Sequence, residues 1–380
     1  MKLLQQMTAM NHERVVFHQD PDSDLRAIIA IHDTTLGDAL GGTRRWCYAS
    51  EADAITDVLR LSEGMTYKAA AADLAMGGAK SVILLDTPAQ EATEEQGRAM
   101  GRFVETLGGT YIAAEDVGVN EQFCDWMGTE TEYVMGGLTV SRGGNPAPFT
   151  SRGAFNAMKG CLAHAGRPVD FAGLTVGIQG LGQTGYRLAK LVIDHGGTVI
   201  GTDVSPHAIS RAVKELNIKV LGDDECLMDM EIDIFAPCAL GGVLGPEQIE
   251  LMRAPIVCGT SNNILVDPDR DGQLLKDKGT IYAPDFIANA GGLIRLAGLY
   301  LGLTEDEIEN KVEKIEATTR EVLADTRNHA SAYDAAVAFA LKRIEAGARL
   351  KASHATSCRH PSSKPSRGAR YPCSRHSSRG

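Results

Sequence analysis

The chain has 380 residues, of which 43% are hydrophobic and 23% charged, and its formal net charge is −11. This composition is typical of a globular protein of about two domains and excludes fibrous and low-complexity proteins. The acidic balance argues against nucleic acid as a partner of the folded part. No apolar run is long enough to cross a bilayer and the N-terminus lacks a signal-peptide pattern, so we expect a cytoplasmic protein with no membrane partner. The eight cysteines form no CxxC pair, which argues against a zinc ribbon or a disulfide framework, and no metal site is expected.

The first part of the chain predicts strands alternating with helices. Apolar and β-branched runs predict strands at residues 26–32, 81–85 and 110–114, the last of them followed closely by Asp116. Apolar residues recur at helical spacing over residues 51–69, which predicts an amphipathic helix. This alternation favours an α/β domain.

Two lysines lie in the segment GMTYKAAAADLAMGGAK (64–80), and every residue between them is alanine, glycine, leucine or methionine except Asp73. Lys68 is expected at or just beyond the end of the predicted helix, and Lys80 lies just before the strand at 81–85. Lysine is rarely fully buried, because removing an ammonium from water is costly. Either both are surface lysines on an alanine-rich helix, or they form a site for a small charged acid. In the second case one ammonium would hold the substrate carboxylate, while the other, its pKa lowered by apolar surroundings, would exchange protons.

A stretch rich in glycine and proline, SRGGNPAPFTSRG (141–153), interrupts the alternation and predicts a hinge between two domains. We expect a substrate-binding α/β domain over residues 1–148 and a Rossmann domain over residues 149–325, separated by a cleft. Helices over residues 326–351 are expected to pack back on the first domain.

The second domain begins with a strand–turn–helix–strand pattern that contains GLGQTG, and Asp203 follows its second strand. The G-x-G-x-x-G spacing allows a tight turn, a close approach of a pyrophosphate, and close packing of the helix on the strand. An acidic residue placed like Asp203 can accept hydrogen bonds from the ribose 2′-OH, which favours NAD as the cofactor. The alternative is a glycine-rich turn that binds nothing. The predicted cofactor-binding loop consists of Gly180, Leu181, Gly182, Gln183, Thr184 and Gly185.

The last segment, residues 352–380, differs in composition from the rest of the chain. It is rich in arginine and serine and contains no acidic residue. Such a segment buries too little apolar surface to offset its loss of conformational entropy, so we expect it to be disordered. A basic RNA-binding arm and an out-of-frame or cloning-derived end are alternative interpretations.

Several motifs in order along the chain resemble one known family, the Glu/Leu/Phe/Val amino-acid dehydrogenases, and most closely its leucine/phenylalanine/valine branch. The resemblance extends from about residue 10 to residue 345. It rests on AIIAIHDTTLGDALGGTRRW (27–46), RLSEGMTYKAAAADLAMGGAKSVIL (60–84), YIAAEDVG (111–118), DIFAPCALGG (233–242), SNN (261–263) and YAPDFIANAGGLI (282–294).

The resemblance implies roles for the charged residues of the first domain. Lys68 matches the lysine that pairs with the substrate carboxylate, Lys80 the lysine that activates water, and Asp116 the carboxylate that exchanges protons with the amino group. The implied reaction is a reversible oxidative deamination of an amino acid to a 2-oxo acid and ammonia, with NAD as hydride acceptor. The resemblance also implies a homo-oligomer.

Other matched positions are expected around the substrate and the cofactor. Gly41 and Gly42 match a turn whose backbone lies along the substrate, and Asn262 matches an asparagine of the cleft that contacts both molecules. The remaining matches are expected beside the cofactor: Thr150, Cys238 and Ala239.

The resemblance further implies an apolar pocket for the substrate side chain, lined by Leu40, Met65, Ala114, Leu293 and Leu296. An acidic or basic side chain would lose its hydration there without gaining a partner. Leu293 and Leu296 stand where leucine-preferring relatives carry valines, and the extra methylenes make the pocket shorter or narrower. We therefore expect leucine, valine or isoleucine as substrate, with a preference for the shorter side chains. A phenylalanine or tryptophan dehydrogenase is the alternative.

Some positions depart from the pattern of the family. Asp38 replaces a usual proline, Thr260 replaces a small apolar residue, and Arg295 replaces an uncharged polar residue. If Arg295 pointed into the cleft, it could bind an acidic substrate side chain and change the substrate class. We expect it to lie instead at the surface or at a subunit contact.

Two other classes of protein fit parts of the sequence. A malic-enzyme-like decarboxylase would need metal-binding carboxylates near the cleft, and no such cluster is visible in the sequence. A non-enzymatic dinucleotide sensor would be expected to lack Lys80 or Asp116, whereas both are present.

Overall fold

The structure, a computed structural model, describes residues 2–222 and 225–357, with side chains up to residue 351. These residues form two β-sheets, of five and six strands, each flanked by helices. None of the helices in this part of the chain is long and apolar enough to span a membrane. The fold is therefore the predicted two-domain α/β architecture.

The first sheet has the strand order β1-β2-β4-β3-β5. Strand β3 lies parallel to both β4 and β5, whereas β2 is antiparallel to its two neighbours. Apolar residues on both faces of the sheet pack against helices, which accounts for the long apolar runs in these strands. The elements of this domain are α1 (Leu3–Ala9), β1 (Arg14–Asp20), β2 (Leu25–Asp33), β3 (Ala39–Trp46), α2 (Glu51–Ala71), β4 (Gly77–Leu84), α3 (Glu94–Glu105), β5 (Tyr111–Glu115) and α4 (Glu121–Gly128).

The second sheet is parallel throughout, with the order β11-β10-β9-β6-β7-β8. The order runs outwards in both directions from the neighbouring strands β6 and β9, which is the doubly wound Rossmann arrangement. Ligands of such sheets bind at the carboxyl ends of the strands at this switch point. The strands are β6 (Thr175–Gln179), β7 (Thr198–Thr202), β8 (Lys219–Val220), β9 (Ile234–Pro237), β10 (Ile256–Val257) and β11 (Ile281–Tyr282).

Helices cover the second sheet and continue beyond it. Helix α5 enters this part of the chain, and α14 returns to the first domain, where it packs against α2. The helices are α5 (Ala147–His164), α6 (Gln183–Asp194), α7 (Pro206–Leu216), α8 (Pro246–Leu251), α9 (Pro268–Lys278), α10 (Asp285–Ala288), α11 (Gly291–Tyr300), α12 (Glu305–Glu313), α13 (Ile315–Asp325) and α14 (Ala332–Ser357).

Three local boundaries differ from those expected from the sequence. Helix α2 runs to Ala71, so Lys68 lies in its last turn rather than at its end. Strand β4 begins at Gly77, which places Lys80 inside the strand. Helix α5 begins at Ala147, so the second half of the predicted hinge is helical. Tertiary packing outweighs the weak local preferences of alanine- and glycine-rich segments.

The predicted disordered tail is only partly covered by the structure. Helix α14 extends to Ser357, six residues into the segment expected to be disordered. The rest of that segment, residues 358–380, lies outside the described residues.

Asp73 lies two residues beyond the end of α2 and connects this helix to two later helices. It has a left-handed backbone (φ 58°), and its carboxylate forms ion pairs with Lys311 of α12, at 3.2 Å, and with Arg343 of α14. Arg343 also donates a hydrogen bond to the carbonyl of Ala70 at 3.0 Å. Cations at a helix C-terminus are favourable because the last carbonyls carry partial negative charge. These contacts hold the turn of α2 that carries Lys68.

Candidate active site

A cavity of about 260 Å³ lies between the two sheets, and both domains line it. Side chains alternate between the faces of a strand, so Leu40 and Gly42 of β3 and Lys80 of β4 share the face on which α2 packs. The cavity brings together eleven residues predicted from the sequence: Leu40, Gly42, Met65, Lys68, Lys80, Ala114, Asp116, Thr150, Asn262, Leu293 and Leu296.

Lys80 and Asp116 form an ion pair at the bottom of this cavity. Lys80 Nζ lies 2.9 Å from Asp116 Oδ2, and the side chains are 6% and 14% exposed. Burial would raise the pKa of Asp116, but the cations of Lys80 and Arg44 outweigh it and hold this pKa at about 2. Burial lowers the pKa of Lys80, with Arg44 adding to this effect and Asp116 opposing it. Asp116 is therefore a carboxylate, and Lys80 is a lysine that loses its proton more readily than an exposed one.

Arg44 is a member of this cluster that was not predicted from the sequence. Its Nε donates to Asp116 Oδ2 at 2.9 Å and its Nη1 to Asp57 Oδ2 at 2.9 Å. Arg45, its neighbour in β3, points to the opposite face, where it donates to Gln96 Oε1. The adjacent arginines in TRRW could have indicated it. Because two consecutive residues of a strand face opposite sides of the sheet, one of the two arginines must lie on the face that carries Lys80.

Lys68 reaches across the cleft to the second domain. Its Nζ donates to Asn262 Oδ1 at 3.0 Å, and the same oxygen accepts from Asn289 Nδ2 at 2.8 Å. Burial lowers the pKa of Lys68 to about 8; Lys80 adds to this effect, whereas Asp285 and Asp116 oppose it. An anionic ligand beside this ammonium would favour its charged form.

Asp285 and Asn289 are two further polar residues of the cavity that sequence reasoning missed. The carboxylate of Asp285 accepts the backbone N–H groups of Ile264 (3.0 Å) and Phe286 (2.7 Å), and burial raises its pKa. Asn289 is 5% exposed, and its Oδ1 has no hydrogen-bond partner within the described residues. Both residues follow β11, at the carboxyl edge of the second sheet where ligands of this fold bind.

All five residues predicted to form the apolar pocket line the cavity. Arg295, which could have changed the character of this pocket, is not among the lining residues. Its guanidinium forms an ion pair with Glu305 and lies 4.9 Å from the ring centre of Phe149. The side chain of Arg295 is thus held by α12 and α5, and no cation enters the apolar part of the cavity from α11.

The two neighbouring glycines of β3 occupy different surroundings. A Cβ atom on Gly42 would lie 2.5 Å from the carbonyl oxygen of Glu115, 2.8 Å from Asp116 Cβ and 3.2 Å from Lys80 Nζ. Gly41 lies outside the cavity lining, and its carbonyl accepts the hydroxyl of Tyr111 at 2.8 Å. The absence of a side chain at Gly42 is therefore what allows Asp116 and Lys80 to meet.

The predicted dinucleotide loop connects β6 to α6 at the switch point of the second sheet. Gly180 has a φ of +99°, and a Cβ on Gly185 would lie 1.9 Å from the carbonyl oxygen of Gly180. A Cβ on Gly182, which precedes the first residue of α6, would meet no atom within 4 Å in the part of the chain that the structure describes. This open space before the N-terminus of a 12-residue helix can accept a pyrophosphate, so the loop fits a dinucleotide.

The other residues predicted at the cofactor lie around this loop. Asp203 follows β7, and its carboxylate accepts the N–H groups of Leu181 (2.5 Å) and Ser205 (2.7 Å). Cys238 follows β9, and its N–H donates to Gln179 at the end of β6 at 2.7 Å. Burial raises the pKa of the Cys238 thiol to about 11, which makes it an unreactive packing residue. Ala239 contacts Gly180, since a Cβ on that glycine would lie 2.8 Å from its methyl group.

A doubly wound domain with a dinucleotide loop, joined to a second domain that presents two lysines and a carboxylate, defines a two-domain dinucleotide-dependent oxidoreductase. Two family models match the chain. The model for the Glu/Leu/Phe/Val dehydrogenase dimerisation domain matches residues 12–133, and the model for glutamate/leucine/phenylalanine/valine dehydrogenase matches residues 205–351. The chain therefore belongs to this family of amino-acid dehydrogenases, as the sequence motifs indicated.

Individual relatives match over most of the chain. A leucine dehydrogenase of Geobacillus stearothermophilus is 41% identical, with 91% of this chain and 94% of that protein covered. A valine dehydrogenase of Streptomyces virginiae is 40% identical, with 82% and 88% covered. The crystal structure of L-tryptophan dehydrogenase from Nostoc punctiforme is similar, with a TM-score of 0.78 and 35% identity, and covers 91% of this chain and 99% of that one.

The surroundings of Gly42 lead to a prediction. Gly42→Ala would place a methyl group against a backbone carbonyl and Asp116, which must shift by several tenths of an ångström or more. Because such misplacement of reacting groups can cost about 10²-fold in rate, we expect kcat to fall by about that factor. Gly222→Ala is the control, since a Cβ there meets no atom of the described residues within 4 Å. Steady-state kinetics with matched thermal melts would check this, and a Gly42→Ala enzyme of normal kcat would contradict it.

Proposed function

We propose that the protein catalyses the reversible, NAD-dependent oxidative deamination of a branched aliphatic L-amino acid to its 2-oxo acid and ammonia. The observation that carries the proposal is the Lys80–Asp116 pair beneath an apolar cavity, with Lys68 at its rim and a dinucleotide loop beside it. The leucine and valine dehydrogenases among its relatives act on substrates of this kind.

In this proposal Lys68, Asp116 and Lys80 each have a defined chemical role. Lys68 Nζ, which also contacts Asn262, binds the substrate carboxylate. Asp116, which is ionised, accepts a proton from the substrate ammonium, so that the amine is neutral when the Cα hydrogen leaves as hydride. Neutral Lys80 takes a proton from the water that attacks the resulting iminium carbon. Asp116 then returns its proton to the nitrogen, and the C–N bond breaks as the carbinolamine hydroxyl gives its proton to the departing ammonia. Ammonium and the 2-oxo acid are the products, and Lys80 releases the proton it took from water to the solvent.

The cofactor would lie along the loop that follows β6. The N–H groups at the start of α6 would bind its pyrophosphate, Asp203 its adenine ribose, and Thr150 its nicotinamide end. When bound, it supplies the hydride acceptor. The second domain closes the cavity over the first, which excludes water and strengthens the interactions of Lys68, Lys80 and Asp116.

The roles of the three charged residues can be separated kinetically. Lys80→Ala and Asp116→Ala each remove a proton-transfer group, and we expect kcat to fall by about 10²–10⁴-fold while the protein still folds and binds NAD. Lys68→Ala removes carboxylate binding and should chiefly raise KM for the amino acid. Lys219→Ala serves as the control, because Lys219 is exposed and forms an ion pair with Glu225 of a surface turn. A near-normal kcat of either proton-transfer variant would remove that residue from the mechanism.

The loop geometry also predicts the choice of cofactor. Asp203 would repel a 2′-phosphate, and the guanidinium of the nearby Arg211 is already engaged by the carbonyl of Leu181 (3.2 Å) and the ring of Tyr186. We expect kcat/KM to be at least about tenfold higher with NAD than with NADP, and Asp203→Asn to narrow this ratio. Initial rates with NAD and with NADP give the ratio of the two kcat/KM values. Equal rates for the unmodified protein would show that Asp203 does not face the ribose.

The apolar pocket predicts the order of substrates. Valine, leucine and isoleucine should give higher kcat/KM than phenylalanine, and all of them far higher than glutamate, whose carboxylate would lie against the five apolar side chains of the pocket. Because one methylene changes discrimination by about 1–3 kcal/mol, Leu293→Val with Leu296→Val should shift the preference towards longer side chains. Arg295→Met is the control and should leave the glutamate-to-leucine ratio unchanged.

These kinetics also test the alternatives. Phenylalanine or tryptophan turning over ten times faster than valine would contradict the pocket and favour an aromatic amino-acid dehydrogenase. A preference for glutamate that disappears in Arg295→Met would show that this side chain leaves Glu305 and enters the cleft.

We also propose that the chain forms a homo-oligomer through its first domain. Strand β1 is an edge strand of the first sheet, and Phe17 on it is 48% exposed. The family model that matches this part of the chain is described as a dimerisation domain. An unpaired edge next to exposed apolar side chains is suited to pairing with a second chain.

A further inference from the structure

The carboxylate of Asp116 is bound by two cations on the same oxygen. Lys80 Nζ and Arg44 Nε both lie 2.9 Å from Asp116 Oδ2. Both cations of the cluster therefore bind the same oxygen of Asp116.

Arg44 is itself held in place by a second carboxylate. Its Nη1 donates to Asp57 Oδ2 at 2.9 Å, and the hydroxyl of Tyr48 donates to the same Asp57 oxygen at 2.6 Å. Asp57 projects from α2, whereas Arg44 belongs to β3, so the contact joins the helix to the sheet. A guanidinium with two fixed carboxylate partners keeps both its position and its charge.

The ion pair of Lys80 with Asp116 poses a problem for the mechanism. A base must be neutral before it can take a proton from water, but a lysine that is the only cation of a buried carboxylate holds its proton firmly. Loss of that proton would leave an unpaired buried carboxylate, which is costly. Because Arg44 cannot be deprotonated in this pH range, Asp116 retains a cation whether Lys80 is charged or neutral.

We propose that Arg44 is a positioning residue that acts as the permanent counter-cation of Asp116, so that Lys80 can release its proton while Asp116 stays ionised. The inference rests on the proposed function, in which Lys80 is the base and Asp116 exchanges protons with the substrate nitrogen. Arg44 touches neither reacting atom in this scheme and acts through Asp116.

The charges around Lys80 agree in sign with this role. Burial is the largest effect that lowers the pKa of Lys80, Arg44 lowers it further, and Asp116 and Asp57 raise it. Lys68 is a further cation of the cavity and repels Lys80, and Arg60 also lines the cavity. Removal of the Arg44 charge should therefore raise the pKa of Lys80. Since the base is active only when neutral, activity should then begin at higher pH.

The test is the pH dependence of kcat/KM for oxidative deamination in the full chain with NAD and leucine. Arg44→Met should move the acidic limb of the profile about 1–2 pH units towards alkaline pH and lower the rate at neutral pH by about 10-fold or more. Arg44→Lys keeps a cation beside Asp116 and should move the limb by less than half as much.

Arg45→Met is the matched control. Arg45 is the adjacent residue of β3 and is more deeply buried than Arg44, but it donates to Gln96 and to the carbonyl of Glu91 on the other face of the sheet. Loss of stability in the sheet would affect both methionine variants, whereas only Arg44→Met should shift the limb. An unmoved limb in Arg44→Met with a uniformly lower kcat would overturn the proposal and reduce Arg44 to a scaffold residue.

The failure of this inference can be distinguished from that of the proposed function. If Lys80→Ala abolishes turnover at every pH but Arg44→Met leaves the limb unmoved, only the role of Arg44 is wrong. If Lys80→Ala keeps both turnover and limb, Lys80 is not the base, and the role of Arg44 fails with it.

A second measurement reports the pKa of Lys80 directly and does not require an active enzyme. The rate at which acetic anhydride modifies Lys80, followed by peptide mass spectrometry as a function of pH, reports the pKa of that lysine in the folded protein. The pKa should be higher in Arg44→Met than in the unmodified chain; if Arg44→Met does not fold, Arg44→Gln replaces it. Equal values in the variant and the unmodified chain would overturn the proposal.

Discussion

The cleft depends on one carboxylate held between two cations. The three charged residues come from adjacent strands of the first sheet. Asp116 directly follows β5, Lys80 lies in the middle of β4, and Arg44 lies in the second half of β3. Their charges meet only because the parallel pairing of β3 with both neighbours sets the register and because Gly42 leaves room between them. Removing three charges from water is costly, and mutual pairing with few unsatisfied groups offsets that cost. The rigidity of the sheet is thus a requirement for the electrostatics of the site.

The second domain completes the cleft. Asn262 binds the ammonium of Lys68 and, through Asn289, connects it to the carboxyl edge of the doubly wound sheet. The helix that carries Lys68 is in turn tied at Asp73 to α12 and α14. Movement of one domain relative to the other would therefore change the surroundings of Lys68 more than those of Lys80, which lies inside a strand. This difference is consistent with the proposed roles, in which Lys68 binds the substrate and Lys80 exchanges protons.

Local sequence patterns predicted the elements that depend on short-range interactions. The strand–GLGQTG–helix–strand unit was identifiable because its glycines serve contacts within a few residues: the turn at Gly180 and the close packing of Gly185 on it. Boundaries were less accurate in segments of weak preference, such as the alanines before Ala71 and the start of α5 at Ala147. There the packing of the helix against the rest of the protein decides where it ends.

The sequence by itself determined the family, the two-domain α/β class, the dinucleotide loop and the apolar character of the pocket, because these follow from ordered motifs and from residue types. Only the tertiary structure decided which of two adjacent arginines faces Asp116, that Arg295 pairs with Glu305 outside the cavity, and that Asp73 joins α2 to Lys311 and Arg343. Each of these contacts is a choice among several charged groups of similar chemistry. The choice depends on strand register and helix packing, which bring together residues as much as 270 positions apart, and no local pattern specifies that geometry.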